Sequence, residues 1–189
     1  METRNVMIVG VGGQGSLLAS KLLGRLFLTR GYDIKVSEVH GMSQRGGSVV
    51  TYVRFGEKVY EPTCEVGTVD VLISFERLEA LRYAHYLKKD GVLVVNDARI
   101  DPMTVVIGAM KYPENIIEDL SREHKLVSIN GLDIAKSLGN SKVLNSVVLG
   151  LAAKHIGFDE KEWMDVLVAT VPAKTIEINK AAFLAGYKN

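Results

Sequence analysis

Two stretches of this chain concentrate residue types suited to holding an anionic or oxygen-rich ligand. The first is Gly10-Val11-Gly12-Gly13-Gln14-Gly15, a GxGxxG pattern between the apolar run 6–9 and the leucine-rich segment 16–30. At a strand-to-helix turn, glycines let the backbone bend tightly and let a ligand approach, while the helix N-terminus offers N–H groups to negative charge. Glycines needed only for the turn would give the same pattern. The second stretch is Glu38-Val39-His40-Gly41-Met42-Ser43-Gln44-Arg45-Gly46-Gly47-Ser48. Arg45 presents a rigid fork of donors for a carboxylate or phosphate. His40 could donate a ring N–H, Ser43 and Gln44 add polar side chains, and Gly46-Gly47 would free backbone N–H groups for the same ligand. Glu38 stands roughly where a dinucleotide fold places an acid for the ribose hydroxyls. The plain alternative is a surface connection whose arginine pairs with a nearby carboxylate.

The candidate binding set is therefore Gly10, Gly12, Gly13, Gln14, Gly15, His40, Ser43, Gln44, Arg45, Gly46 and Gly47, with no catalytic residue and no metal ligand assigned. Other reactive types carry less. Cys64, in a loop after Pro62-Thr63, has no histidine near it in sequence and reads as a spectator. His85, His124 and His155 lie at no metal-ligand spacing. Asp97 and Asp101 read as turn residues, and Glu76 as a first-turn helix acid rather than a base.

The elements that must position these residues follow from periodicity. Residues 6–9 form a wholly apolar strand, 16–30 a helix with Leu18, Leu22 and Leu26 in register, and 34–39 a second strand, together a Rossmann-like βαβ unit. Residues 48–55, rich in β-branched and aromatic types, predict a hairpin with 58–60 across Gly56-Glu57, bringing antiparallel strands into a parallel sheet. Strands are expected at 69–75, 92–95, 104–107 and 126–129, and helices at 76–89 and 113–123. From Leu132 the pattern is helical, with segments at 141–155, 159–168 and 174–185. The expected fold is α/β: three layers, a mixed and mostly parallel sheet, a helical C-terminal part, and one domain over residues 1–189.

Composition excludes several classes. The 189 residues carry 23 Lys+Arg against 22 Asp+Glu, so no strong field favours nucleic acid. The longest apolar runs fall far short of the ~20 residues of a membrane span, and the first residues lead almost directly into a strand, with no signal-peptide pattern. A single cysteine can form neither an intrachain disulfide nor an iron–sulfur site, which needs about four thiolates. A cytoplasmic protein is expected.

The strand followed by GVGGQG, then SEVHGMSQRGGSV, resembles the small subunit of 2-oxoacid:ferredoxin oxidoreductases. The branch most similar is the indolepyruvate beta subunit, equivalent to the gamma subunit or domain of the pyruvate and ketoisovalerate members. The resemblance continues through 70–76, Leu138-Gly139-Asn140, 145–150 and the ending from Pro172 and Lys174 to Gly186-Tyr187. It implies a gamma-type domain that helps complete an active centre and receive coenzyme A, in a complex performing thiamine-diphosphate-dependent oxidative decarboxylation. The chain has neither the family's GDG pyrophosphate motif nor cluster cysteines. Thiamine diphosphate and iron–sulfur clusters are thus expected in a larger partner subunit, which passes electrons to ferredoxin. Which loop meets coenzyme A, thiamine or the partner stays open. The rival reading is a free-standing Rossmann-like protein that binds NAD(P), FAD or ATP at GVGGQG.

Overall fold

Apolar runs too short for helices alternate with amphipathic segments, which drives the chain into a sheet covered on both faces. The computed structural model describes residues 2–41 and 46–189. In chain order it has β1 (Arg4–Val11), α1 (Ser16–Thr29), β2 (Asp33–His40), β3 (Ser48–Gly56), β4 (Val69–Ser74), α2 (Arg77–Tyr83), β5 (Leu87–Asn96), α3 (Met103–Val106), α4 (Ile116–Glu123) and β6 (Lys125–Ile129). The helices α5 (Gly131–Ser137), α6 (Leu144–Ile156), α7 (Glu160–Thr170) and α8 (Ile176–Tyr187) complete it.

Among the described residues the sheet order is β2-β3-β1-β4-β5-β6. β1, β4, β5 and β6 run parallel, while β3 is antiparallel to both of its neighbours. The strand–helix–strand unit at the start is present, with β3 inserted between its two strands. The carboxyl ends of β1, β2, β4, β5 and β6 therefore share one edge of the sheet with the start of β3, as the pairs Val11–Ser48 and His40–Val49 record.

Alternation along the strands divides the core in two. On one face Ile8, Val53, Phe55 and Ile73 pack with Leu22, Leu26 and Phe27 of α1 and with the C-terminal helices, including the buried Trp163 and Phe183. The Phe27 and Phe55 rings stack at 3.6 Å. On the other face Met7, Val9, Leu72 and Leu93 meet Ala80 of α2 and Ile116 and Leu120 of α4. α6 and α8 approach so closely that a Cβ added at Gly186 would lie 1.9 Å from the Val147 carbonyl oxygen.

Four local expectations are corrected. Residues 58–60 form no strand, because β3 already has a partner on each side. The chain instead turns away after Gly56, held by Asp33, whose carboxylate accepts the Val59 N–H at 2.9 Å, and by Arg54, which donates to the Glu61 and Thr63 carbonyls. Residues 104–107 are largely the short helix α3. Pro102 precedes it and accepts the Val105 and Val106 N–H groups, so the backbone donors a strand would pair are used in a helical turn. The helix expected to Lys89 ends at Tyr83 and, after a 3₁₀ turn, β5 begins at Leu87, where pairing with Val69 overrides helical periodicity. α4 starts three residues beyond Pro113, after Asn115 in a left-handed conformation. No helix among the described residues is long and apolar enough to cross a membrane.

Candidate functional site

β1 ends at Val11, and the chain must reverse within four residues to start α1 at Ser16. Gly13 and Gly15 take φ of 100° and 92°, a region that side chains disfavour. Gln14 fixes the turn from within: its side-chain Oε1 accepts the Val11 N–H at 2.7 Å and its Nε2 donates to the Phe75 carbonyl at 2.9 Å. Gly10 lies against Gln14 and Phe75. Gly15 approaches Asn145 of α6, whose Nδ2 would be 2.5 Å from an added Cβ. The third glycine of the motif thus serves a helix–helix approach as well as the turn, a role that sequence reasoning missed.

The tertiary structure joins the two motif stretches. The Gly12 N–H donates to the Gly47 carbonyl at 2.8 Å, stitching the glycine loop to the start of β3. Around this contact lies a cleft of about 400 Å³ lined by Gly12, Gly13, Gly15, Ser16, Leu17, Glu38, His40 and Val49, within the size range of small-molecule sites. α1 has neither a side-chain cap nor an acid in its first turn, so its leading N–H groups are left for a ligand or water. Glu38 is exposed and accepts the Thr51 hydroxyl at 3.1 Å, leaving a carboxylate oxygen free to take a ligand hydroxyl. The exposed His40 has Nδ1 3.0 Å from the Gly41 carbonyl. Gly46, at φ 78°, follows directly after the undescribed stretch. Ser43, Gln44 and Arg45 lie outside the described residues.

This arrangement suits binding rather than bond-making. Among the described lining residues no nucleophile stands beside a base. Free N–H groups lie at one side of the cleft and a hydroxyl acceptor at the other, groups that can hold an anion and a hydroxyl of one ligand.

A buried polar belt underlies the same edge. Asn96, wholly buried at the end of β5, donates to the Phe75 carbonyl at 3.0 Å and accepts the Gly131 N–H at 2.9 Å. Glu76 is the N-cap of α2, its carboxylate taking the Glu79 N–H, the Ile100 N–H and, at 2.5 Å, the Tyr112 hydroxyl. Burial first, and then the Glu76 carboxylate, push the Tyr112 phenol well above its usual range. Glu79, also buried, accepts the Ser48 hydroxyl and is approached by Arg82 at 3.3 Å. Sequence reading found Glu76 as a helix-start acid but assigned nothing to Asn96 or Glu79. Their signal, a polar residue at a strand end or one turn into a helix, is too common to single them out.

The remaining candidates are structural. Asp97 faces Arg77, and Asp101 pairs with Arg99 at 2.6 Å. Cys64 is buried, which pushes its thiol up to about 11. His155 is lowered by burial, with Lys125 and Lys154 adding to the effect. Among the described residues no three metal-ligating side chains converge.

The pyruvate ferredoxin/flavodoxin oxidoreductase family matches residues 5–189. Over its full length the chain is 43% identical to indolepyruvate oxidoreductase subunit IorB of Thermococcus kodakarensis, spanning 96% of that protein. It is 40% identical to the subunit of the same name from Pyrococcus horikoshii, again over 96% of the relative. Among solved structures, the gamma subunit of a keto/oxoacid ferredoxin oxidoreductase from Geobacter sulfurreducens gives a TM-score of 0.72 at 23% identity, covering 98% of this chain and 96% of that one. At that identity the structural likeness speaks for the fold. The chain belongs to the pyruvate ferredoxin/flavodoxin oxidoreductase family.

Proposed function

We propose that this member of the pyruvate ferredoxin/flavodoxin oxidoreductase family is the small, non-cluster subunit of a cytoplasmic 2-oxoacid:ferredoxin oxidoreductase, with indolepyruvate as its 2-oxoacid. In this reading residues 1–189 act as one gamma-type domain. Thiamine diphosphate and iron–sulfur clusters reside in a larger partner, ferredoxin takes the electrons, and coenzyme A is the co-substrate received at the sheet edge. The full-length identity to two indolepyruvate oxidoreductase subunits supports the substrate class. The observation that carries the site is the Gly12–Gly47 contact, which makes one cleft of two stretches that separately offer anion-binding groups.

The chain's part is to bind and orient. The first-turn N–H groups of α1 face a phosphate, Glu38 takes a hydroxyl, and Arg45, from the sequence pattern, supplies the bidentate cation. The test is indolepyruvate- and coenzyme A-dependent reduction of a viologen dye by the chain co-assembled with the larger subunit. Activity is expected only in the assembly. Arg45→Ala should raise the KM for coenzyme A roughly 10- to 150-fold, the equivalent of losing a charge-assisted bond, and Arg45→Lys less so. Turnover by the chain alone overturns the reading.

The placement of Glu38 in the cleft favours one rival, a free-standing nucleotide-binding protein, because a carboxylate there suits a ribose. Stoichiometric binding of NAD(P)H, FAD or ATP by the isolated chain, measured calorimetrically, would establish that rival.

A further inference from the structure

Large apolar side chains are left exposed in one segment far more densely than elsewhere. Met103, Val106, Ile107 and Met110 are 63–70% exposed, and Ile100, before the segment, and Leu81 of the neighbouring α2 are each 39% exposed. α3 buries none of its own residues. Between α2 and the 102–113 segment runs a groove of about 520 Å³ whose walls include Leu78, Leu81, Pro102, Met103, Val105 and Met110. Apolar surface gathered in this way marks an interaction site, and methionine-rich surfaces adapt readily to a partner.

The patch is built rather than frayed. Ile107, Gly108 and Met110 donate N–H groups to the carbonyls of Met103, Val105 and Thr104 at 2.9–3.0 Å. Both stems of the segment are tied to the buried Glu76 carboxylate, through the Ile100 N–H at 3.1 Å and the Tyr112 hydroxyl at 2.5 Å, and the Arg99 guanidinium covers the Tyr112 ring at 4.3 Å. A rigid apolar surface loses little conformational entropy on binding.

Charge decides what kind of occupant fits. Among the described residues lining the groove the charged ones are Arg82 and Lys111; Arg82 is already paired with the buried Glu79 at 3.3 Å, so Lys111 carries the uncompensated positive charge. Lys111 makes no ion pair with any described residue. A second copy docking by two-fold symmetry would present the same patch, which offers no carboxylate to answer Lys111. An apolar segment flanked by aspartate or glutamate meets both the walls and the rim. The groove also follows directly from the carboxyl end of β5, the sheet edge that carries the candidate site, so an occupant there would abut that edge.

We infer that the groove between α2 and α3 is a docking surface for the larger subunit of the complex, which inserts an apolar segment with acidic flanks. The inference rests on the subunit reading above. The experiment measures affinity between the larger subunit and the full chain carrying Met103→Asp with Met110→Asp, or Lys111→Glu alone, each checked for wild-type thermal unfolding. The double variant should weaken assembly about ten-fold or more. Lys111→Glu should weaken it less, with the difference shrinking at high salt. In the wild-type complex, amides of residues 103–111 should gain hydrogen-exchange protection, a readout that needs no variant to fold. Unchanged affinity in both variants, or no protection, overturns the docking surface. So does a dimer of the isolated chain that Met103→Asp with Met110→Asp dissociates while assembly persists. Failure of the wild-type chain to assemble with the larger subunit at all is a different result, and it overturns the subunit reading instead.

Discussion

Gln14 and Asn96 donate their side-chain amides to one acceptor, the carbonyl oxygen of Phe75, at 2.9 and 3.0 Å. Each also uses its amide oxygen to hold a backbone N–H, Gln14 that of Val11 and Asn96 that of Gly131. Two side chains thus cross-link the β1–α1 turn, the end of β4, the end of β5 and the start of α5, the connections that shape the ligand-facing edge. The Asn96 bonds are buried, so removing them strands polar groups away from water. Asn96→Leu should cost about 1–3 kcal/mol and Gln14→Leu, which is partly exposed, less. Urea midpoints measure both. Equal and negligible losses would mean that the belt contributes nothing to holding the edge.

The glycine loop separates two costs that usually come together. Gly13 is left-handed with open space around it, so Gly13→Ala should cost only the backbone penalty of about 1–2 kcal/mol. Gly15 is left-handed and also meets Asn145, so Gly15→Ala should cost more. In a double-mutant cycle Asn145→Ala should recover part of the Gly15→Ala loss and none of the Gly13→Ala loss. Additivity at both positions would remove Asn145 from the account.

At the α6–α8 crossing, a Cβ at Gly150 or Gly186 would fall 2.0 or 1.9 Å from a backbone carbonyl oxygen of the other helix. Backbone cannot rotate aside as a side chain can, so the helices must separate around Val147 and Phe183, both wholly buried. Gly150→Ala and Gly186→Ala should each destabilise by about 3 kcal/mol or more, the upper end of overpacking. Thermal unfolding of either variant within a degree of wild type would contradict this close approach.

Alkaline stability offers a check on Cys64. Burial raises its thiol from its ordinary value near 9.0 to about 11, so the folded state keeps a proton that the unfolded chain releases. The unfolded state then binds fewer protons, and stability falls as pH rises. The thiol's contribution is fully present below about pH 9 and is lost as pH climbs towards 11. Its size is at most about 2–3 kcal/mol, from 1.36 kcal/mol per unit. Denaturation midpoints at pH 8 and pH 10.5 should drop less in Cys64→Ala than in wild type. An identical drop would show that the thiol is not the titrating group.

Much of this architecture was legible in the sequence because its causes are local. Residues 6–9 and 92–95 are apolar throughout, as strands covered on both faces must be. The leucines at 18, 22 and 26 mark one helix stripe, and Gly10 to Gly15 punctuate the turn between strand and helix. The composition of the stretch from Glu38 to Ser48 singled it out as a candidate, and among its described residues Glu38, His40 and Gly47 lie beside the glycine loop. The misreadings were decided by pairing and local turns rather than by residue type. Residues 58–60 have strand-like types, but β3 was already paired on both sides; residues 104–107 closed a helical turn on the Pro102 carbonyl; and β5 began at Leu87, where Val69 offered a partner. Tertiary structure alone decided that β3 inserts between β1 and β2, that Gly12 bonds Gly47, that Gly15 meets Asn145, and that Gln14 and Asn96 share the Phe75 carbonyl. Each joins residues tens of positions apart, and such contacts form only when burial of the two core faces brings distant segments to a common edge.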